Sequence, residues 1–300
     1  MRLLLLSNPR SGSRRGPRVA AAFAEHLTGA GFEVDSADVR SPWAQRLTGA
    51  AALLVAGGDG SVLHALEAAC RSGVPIYHIP SGNENLFARE FGHSRDPARA
   101  ASALRQMRTA VVDLGRVTAA DGWSSPFSMM CSFGPDASVV HRLESTRTAG
   151  GGHLVYARPI VAELLNPVIP RLSVRVDGSV LVADQRGVLI VANGRQYALG
   201  INPARVASMT DGLLDVVFMP TRGRFGTLAW AARCRTRADL AKAGAILARG
   251  RAVVVEPTEG TALAQLEGEV VRGEVALGRP LTIRSDPGVL RVVQMPSENP

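Results

Sequence analysis

The sequence of 300 residues lacks the features that assign a chain to the membrane-spanning or secreted classes. No apolar run approaches the roughly 20 residues that a membrane-spanning helix needs. The apolar stretch at residues 3–6 ends at once in Ser7-Asn8-Pro9, too early for the roughly 7–15 apolar residues of a secretory signal. The sequence therefore predicts a cytoplasmic globular protein whose first apolar stretch is a buried strand.

Residues for disulfides, zinc sites and nucleic-acid binding are also scarce. Cys70, Cys131 and Cys234 lie far apart and lack C-x-x-C spacing, which argues against a disulfide framework or a zinc site. The six histidines lack H-x-x-x-H spacing. Aromatic residues make up only 5% of the chain, and no basic run resembles a nucleic-acid-binding arm. Nucleic acid is therefore not expected as a partner.

Positive charge is the first feature that the chain does have. The formal net charge is +8, and Lys242 is the only lysine, so arginine supplies nearly all of the positive charge. Such a balance indicates anionic partners, such as nucleotides or acidic lipid surfaces. A basic surface without a special partner is the alternative.

The first 115 residues alternate between strand-like and helix-like patterns. Strands are predicted at residues 3–6, 32–35, 51–56, 76–79 and 110–114, and helices at 17–30, 62–71, 85–91 and 96–107. Such alternation is typical of a parallel sheet with crossover helices. The continuous apolar run at 51–56 is typical of a parallel strand that is buried on both faces.

After Gly115 the pattern becomes mostly antiparallel β. Strands are predicted at residues 127–133, 172–176, 188–192, 214–218, 253–256, 281–283 and 290–293. Asp177-Gly178 is a strong hairpin signal between two of them. Helices are predicted at 155–165 and at 227–247, the second with a break near Arg235-Thr236.

A glycine-rich loop, Gly57-Gly58-Asp59-Gly60-Ser61, lies between the buried strand at 51–56 and a helix that begins near Val62. Glycine lets the backbone turn sharply and approach a ligand without Cβ interference. The unpaired N–H groups of the following helix attract phosphate. Asp59 adds a carboxylate that could hold Mg²⁺, orient a ribose or accept a proton. The alternative is a tight βα turn with a capping aspartate.

The loop resembles the glycine-rich motif of diacylglycerol kinases, sphingosine kinases, NAD kinases and phosphofructokinases, whereas a Walker A lysine motif is absent. Further segments resemble diacylglycerol kinase-like lipid kinases in the same order. These segments are Asn8-Pro9-Arg10-Ser11-Gly12, Pro80-Ser81-Gly82-Asn83-Glu84-Asn85-Leu86-Phe87-Ala88-Arg89, Phe133-Gly134-Pro135-Asp136-Ala137, Asn193-Gly194 followed by Pro203 and Asp211-Gly212-Leu213-Leu214-Asp215-Val216, and Glu267-Gly268-Glu269.

The resemblance implies a fold and a division into domains. An NAD kinase-like parallel α/β nucleotide-binding domain would be followed by a β-sandwich-like domain, with the active-site cleft between them. The first domain is expected at residues 1–118, joined by 288–296 because the last strand returns to it. The mostly antiparallel β domain that takes the lipid is expected at 119–287.

The resemblance also implies roles for individual residues. The predicted ATP-binding residues are Asn8, Gly57, Gly58, Asp59, Gly60, Ser61, Gly82, Asn83 and Asn85. Glu269 is expected to act as general base, with Asp59 as the rival catalytic residue; a solvated hairpin glutamate is the alternative for Glu269. Asp211 resembles a position that holds a structural Mg²⁺, helped by carbonyls near Ser208 and Leu213. A simple turn is the alternative there.

Together these features predict transfer of the γ-phosphate of ATP to the hydroxyl of a lipid, with Mg²⁺ required and with transient contact of the protein with an anionic membrane surface. Four departures from the family pattern are Ser61 and Asn83 for threonine, Glu267 for aspartate, and Pro135 in a normally glycine-rich turn. Asn83 and Glu267 motivate one alternative, a catalytically impaired nucleotide- or lipid-binding regulator. A kinase of a soluble alcohol such as NAD is the other alternative. The lipid itself is not identified, and a homodimer is one option for the oligomeric state.

Overall fold

The computed structural model describes residues 1–8, 15–146, 166–260, 262–271 and 279–296. The chain divides into two compact units, one of Met1–Asp113 with Gly288–Pro300 and one of Leu114–Pro287. Within the described ranges, no helix has the length and apolar character needed to cross a membrane. The helix predicted at 155–165 lies outside the described residues.

The first unit is a parallel sheet with helices. Its elements are β1 (Arg2–Ser7), α1 (Arg15–Gly29), β2 (Glu33–Asp38), β3 (Ala52–Gly57), α2 (Asp59–Ser72), β4 (Ile76–Pro80), α3 (Leu86–Phe91), α4 (Pro97–Gln106) and the start of β5 (Thr109–Ala119). The strand order is β2-β1-β3-β4, and all three pairings are parallel. The predicted parallel sheet is therefore confirmed.

The strands β1, β3 and β4 of this sheet are buried on both faces, whereas β2 is mostly exposed or half-buried. The four leucines of β1 are each at most 1% exposed, and every residue of β3 is buried. Since neighbouring side chains of a strand point to opposite faces, such runs need cover on both sides. On one face, Phe23 and Leu27 of α1 and Leu104 of α4 pack with Leu3 and Leu54. The apolar run that the sequence shows at 51–56 is thus explained by burial.

The second unit is built on antiparallel strands. Its elements are the remainder of β5, β6 (Ser124–Phe127), β7 (Met130–Phe133), α5 (Pro135–Thr146), β8 (Arg171–Val176), β9 (Ser179–Ala192), β10 (Leu214–Pro220), α6 (Arg224–Arg235), β11 (Ile246–Gly250), β12 (Ala252–Glu259), β13 (Ala264–Leu266), β14 (Glu269–Val270) and the start of β15 (Leu281–Val293). The pairings β5–β6, β7–β9, β8–β9, β9–β10, β10–β11, β8–β12, β12–β15, β7–β13 and β13–β14 are all antiparallel. The predicted antiparallel character is confirmed.

The last strand is longer than predicted. Residues 281–283 and 290–293 belong to one strand, β15, and the boundary between the two units falls inside it at Pro287 and Gly288. In the first unit, Val292 of β15 pairs in parallel with Ile76 of β4. Gly288 adopts a positive φ of 65°, a conformation that glycine accepts without strain. This local bend explains why the sequence pattern is interrupted.

The helix predicted at 227–247 is wrong beyond its break. Helix α6 ends at Arg235, where the Thr236 hydroxyl donates to the Ala232 carbonyl and Arg237 enters the left-handed region at φ 60°. Residues 246–247 already belong to β11, in which Leu247 lies opposite Val217 of β10. Pairing with a buried strand therefore overrides the helical pattern of residues 246–247.

Candidate functional site

The predicted nucleotide-binding residues of the first unit lie at the carboxyl ends of three neighbouring strands. Asn8 follows β1, Gly57 is the last residue of β3, and Gly82 comes two residues after the end of β4. Ligands of open parallel sheets bind outside this edge. The structure thus brings the Asn8, Gly57–Ser61 and Gly82–Asn85 segments to one edge of one sheet.

The two loops touch backbone to backbone at their glycines. The Ser81 N–H donates to the Gly57 carbonyl at 2.9 Å. A Cβ atom added to Gly82 would lie 2.5 Å from the Gly58 Cα, and one added to Gly58 would lie 3.3 Å from the Gly82 Cα. Only glycine at position 82 permits this approach without a shift of backbone.

Helix α2 begins earlier than predicted, and this changes which groups the glycine-rich segment presents to a ligand. Gly58 is the N-cap, so Asp59, Gly60 and Ser61 form the first turn of the helix rather than a free loop. The first N–H groups of a helix attract anions, but the Ser61 N–H of α2 already donates to the Gly58 carbonyl at 2.9 Å. Ser61 is only 3% exposed, and its hydroxyl accepts a hydrogen bond from the Asn8 amide at 3.2 Å. Ser61, which stands where diacylglycerol kinase-like sequences have threonine, therefore uses its hydroxyl to join the end of β1 to α2.

The two asparagines of the second loop differ in their surroundings. Asn85 is 7% exposed, and its side-chain amide accepts from the Gly82 N–H at 2.8 Å and donates to the Gly82 carbonyl at 2.9 Å. It holds a φ of 51° at the start of α3, a conformation that asparagine tolerates well. Asn83 is exposed, so its amide is accessible to a ligand. Asn85 thus shapes the loop, and Asn83 is the better placed to contact phosphate.

Asp59 joins the two helices of this edge. Its Oδ1 accepts the Phe87 N–H at 3.1 Å, at the first turn of α3. A carboxylate at a helix amino terminus is favourable because it satisfies an orphan N–H group near the positive end of the dipole. Asp59 thus has a structural role, as in the capping alternative of the sequence, but at the start of α3 rather than of its own helix.

A chain of two buried histidines lies behind the glycine loop, and sequence reasoning missed it. His78 Nε2 lies 2.9 Å from the Gly57 carbonyl oxygen, and the His78 N–H donates to His93 Nδ1 at 3.0 Å. His93 Nε2 therefore carries the proton and donates to the Val293 carbonyl at 2.8 Å. Tyr77 stacks on His93 with ring centroids 4.2 Å apart. The signal in the sequence is two histidines close to the glycine-rich motif, and their spacing does not indicate a shared structural role.

Burial keeps both imidazoles neutral, which predicts acid sensitivity. Burial lowers the pKa of His93 to about 3 and also lowers the pKa of His78. In the unfolded chain both rings take up a proton below about pH 6.5. For His93 the unfolded state binds more protons between about pH 6.5 and 3, so stability falls with pH in that window by about 1.4 kcal/mol per pH unit, and the lowered pKa of His78 adds a loss of the same sign. Urea unfolding at pH 7 and pH 5 would measure this loss.

His93→Gln removes one of these titrating groups, so its free energy of unfolding should fall less steeply between the two pH values. His64→Gln is the matched control, because His64 is exposed on α2. An unchanged slope in His93→Gln would contradict the buried neutral imidazole.

In the second unit, the first glutamate of Glu267-Gly268-Glu269 is buried. Glu267 is 7% exposed, and its Oε1 accepts hydrogen bonds from the Ser128 and Met129 N–H groups and from the Ser128 hydroxyl, the last at 2.7 Å. The fully buried Asn193 donates its amide to the Ser128 carbonyl at 2.7 Å. These bonds hold the turn between β6 and β7. They also explain why the strand predicted at 127–133 is two strands.

Glu269 opens β14 and is half-buried. Its register partner is Leu266 on β13, and Gly268 makes the turn between them at a φ of 81°. The Gly268 N–H donates to the Gln265 side-chain carbonyl at 2.7 Å. The turn therefore fixes the direction in which the Glu269 side chain leaves the sheet.

Gln265 connects this turn to a polar cluster around Asp136. The Gln265 amide donates to the Ser132 hydroxyl at 2.7 Å and to Asp136 Oδ2 at 3.2 Å. Tyr197 donates its hydroxyl to the same oxygen at 2.6 Å. Burial raises the pKa of Tyr197 well above its usual value, so the phenol keeps its proton and can donate. Tyr197 and Gln265 were not among the predicted residues, because neither belongs to a recognisable motif.

Asp211 is engaged by protein groups at the predicted metal site. Its Oδ1 accepts the Leu213 N–H at 3.0 Å, and its Oδ2 pairs with the Arg249 guanidinium, which also lies 3.2 Å from Asp215. Ser208 bonds to the Thr210 hydroxyl at 3.1 Å. Mg²⁺ needs several free oxygen ligands, whereas this carboxylate is already bonded and sits beside a cation. In the described part of the chain, no group of three or more His, Cys, Asp or Glu side chains forms a metal site.

The residues around Asp211 thus fit a turn closed by an ion pair better than they fit Mg²⁺. The magnesium site at Asp211 stays a prediction. Burial raises the pKa of the neighbouring Asp215, while Arg249 opposes that rise.

Comparison with known proteins identifies the family. The family model of the diacylglycerol kinase catalytic domain matches residues 2–117. The family model of the YegS C-terminal NAD kinase beta sandwich-like domain matches residues 129–294, and this second match alone covers more than half of the chain. The chain therefore belongs to the diacylglycerol kinase-like family of lipid kinases. The α/β unit is its catalytic domain and the antiparallel unit its β-sandwich-like domain.

Individual relatives agree with this assignment. A diacylglycerol kinase of Mycobacterium tuberculosis (strain CDC 1551 / Oshkosh) is 31% identical over 229 residues, which cover 73% of each chain. A Pseudomonas aeruginosa (strain PAO1) protein named "Probable lipid kinase YegS-like" is 28% identical over 263 residues, 84% of this chain and 79% of the other. The crystal structure of a diacylglycerol kinase from Bacillus anthracis strain Sterne is similar over 99% of this chain and 97% of that one, with a TM-score of 0.68 at 16% identity, and so shares the fold.

Proposed function

We propose that the protein transfers the γ-phosphate of ATP to the hydroxyl of a lipid, either diacylglycerol or a related lipid alcohol. The amino terminus of α2 supports this most directly. It begins at Gly58, in backbone contact with Gly82, at the carboxyl edge of the sheet. Phosphoryl transfer depends above all on positioned phosphates, and unpaired helix N–H groups at such an edge are suited to hold them.

In this proposal, the first turn of α2 binds the phosphates of ATP, with Asn83 adding an accessible side-chain amide. Asn8, Asn85 and His78 position the loops without touching the nucleotide, since their polar atoms bond to Ser61, Gly82 and Gly57. Mg²⁺ bound to ATP would neutralise charge on the phosphates. This division keeps the predicted residues but assigns some of them to support.

Glu269 is the proposed general base that accepts the proton of the lipid hydroxyl. It is half-buried and held at a turn fixed by Gln265, whereas Glu267 is committed to the β6–β7 turn. Asp59 is the rival, but its Oδ1 already accepts the Phe87 N–H. A base must reach the hydroxyl it deprotonates, and the capping bond commits one oxygen of Asp59 to α3.

The test is incubation of the protein with Mg-ATP labelled in the γ-phosphate and a total lipid extract. We expect label in lipid; parallel reactions with diacylglycerol, a sphingoid base, a polyprenol and NAD would identify the acceptor. Label in NAD alone would replace the proposal with a soluble-alcohol kinase. ATP binding without transfer to any acceptor would replace it with a nucleotide-binding regulator.

A further inference from the structure

Helix α6 carries two large apolar side chains on its solvent-exposed surface. Phe225 is 75% exposed and Leu228 is 44% exposed. In the described part of the chain, Phe225 is the only aromatic residue among the exposed large hydrophobic side chains. Single exposed apolar residues are ordinary, whereas contiguous exposed apolar surface can mark an interaction site. These two residues are three apart, so their side chains are neighbours on the helix surface.

The orientation of α6 is fixed by its opposite face. Trp230 and Cys234 are 6% and 3% exposed, and the Trp230 indole N–H donates to the Pro220 carbonyl at 2.9 Å. At 3.6 residues per turn, Phe225, Leu228 and Ala232 lie opposite this anchored pair. The apolar face therefore points outward from a helix that is packed along its other side.

The sequence that contains α6 is strongly basic. Residues 221–238 contain five arginines and no acidic residue, and the next acidic residue is Asp239. The arginines are Arg222, Arg224, Arg233, Arg235 and Arg237. The Arg224 guanidinium lies 4.9 Å from the Phe225 ring centroid, and that of Arg233 lies 5.0 Å from the Trp230 ring centroid. An apolar strip bordered by arginines on both sides is complementary to an anionic bilayer, which has an apolar interior and negatively charged headgroups.

A groove of about 500 Å³ lies at the amino end of α6. Thr221 and Arg222 line it together with Arg171, Arg186 and the acidic Asp184. Arg171 is paired with Asp184 and Arg186 with Glu259. Arg222 is exposed and has no ion-pair partner among the described residues, so its charge is available to a ligand.

We propose that this face of α6 is the surface by which the protein docks on an anionic lipid bilayer. Phe225 and Leu228 enter the headgroup region, and the arginines on either side bind lipid phosphates. The inference rests on the proposed function for its purpose, because a kinase of membrane lipids meets its substrate at the bilayer. Its test uses neither ATP nor diacylglycerol, so the two proposals can fail separately.

The experiment is cosedimentation of the full chain with vesicles of phosphatidylglycerol and phosphatidylcholine, compared with vesicles of phosphatidylcholine alone. We expect binding to the anionic vesicles, and the double variant Phe225→Ser with Leu228→Ser should lower the partition coefficient at least about tenfold. Val180→Ser is the matched control, because Val180 is 56% exposed on β9. It should bind like wild type.

A second pair of variants distinguishes docking by this face from a general effect of net charge. Arg224→Glu should lower binding to anionic vesicles several-fold, whereas Arg18→Glu, the same change on an exposed residue of α1, should lower it much less. Wild-type binding by the Phe225/Leu228 double variant would overturn the proposal. The proposal would also be overturned if wild type sediments as a dimer and the double variant as a monomer, because the face would then bind a second copy of the chain. Vesicle binding without lipid phosphorylation would support docking and reject the kinase activity.

Discussion

Glu269→Gln should lower kcat for lipid phosphorylation about 10²–10⁴-fold while leaving the dissociation constant of Mg-ATP nearly unchanged, because general-base catalysis contributes about that much to a rate. The amide is isosteric with the carboxylate but cannot accept the proton of the lipid hydroxyl. Glu269 begins β14 and is only half-buried, so the substitution should not disturb the fold. Turnover from labelled Mg-ATP and nucleotide titration calorimetry measure the two quantities.

Two matched variants make this result specific. Glu256→Gln alters an exposed glutamate of β12 in the same unit and should leave kcat unchanged. Asp59→Asn keeps an oxygen that can accept the Phe87 N–H, so it preserves the start of α3 while removing the carboxylate. If Asp59→Asn abolishes turnover and Glu269→Gln does not, Asp59 is the base and the assignment of Glu269 is wrong.

The architecture of the α/β unit was predictable because its signals are local. The four leucines of β1 and the buried run of β3 could only be strands covered on both faces, and the alternation with helices indicated parallel pairing. Boundaries depended on tertiary contacts and were less accurate. Helix α2 starts at Asp59 because Gly58 caps it, and residues 246–247 are a strand because β10 offers them partners.

The candidate site was predictable only as a set of motifs. Resemblance located Asn85 and Glu267, but their polar atoms serve the Gly82 backbone and the β6–β7 turn. His78 and Tyr197 carry no motif, and their importance follows from partners far away in sequence, Gly57 and Asp136. Such contacts depend on how distant segments pack, which spacing along the chain does not encode.

Gly82→Ala should weaken Mg-ATP binding at least about tenfold and lower the free energy of unfolding by about 1–3 kcal/mol, the usual range for overpacking. The added Cβ would lie 2.5 Å from the Gly58 Cα and 3.1 Å from the Asn85 Oδ1. The nearest atom is backbone, so the methyl group cannot be accommodated by a side-chain rotation. The two loops must separate, and the start of α2 moves with Gly58. Calorimetric titration with Mg-ATP and urea unfolding measure both effects.

Gly29→Ala and Gly58→Ala turn this prediction into a graded series. Gly29 lies in α1 with nothing within 4 Å of an added Cβ, so its variant should bind Mg-ATP normally and be equally or more stable, since alanine favours a helix. Gly58→Ala brings its Cβ to 3.3 Å from the Gly82 Cα, a milder conflict, and should fall between the other two in stability. If Gly82→Ala binds Mg-ATP as Gly29→Ala does, close approach of the two glycine loops is not what holds the nucleotide, and the phosphates must be bound elsewhere.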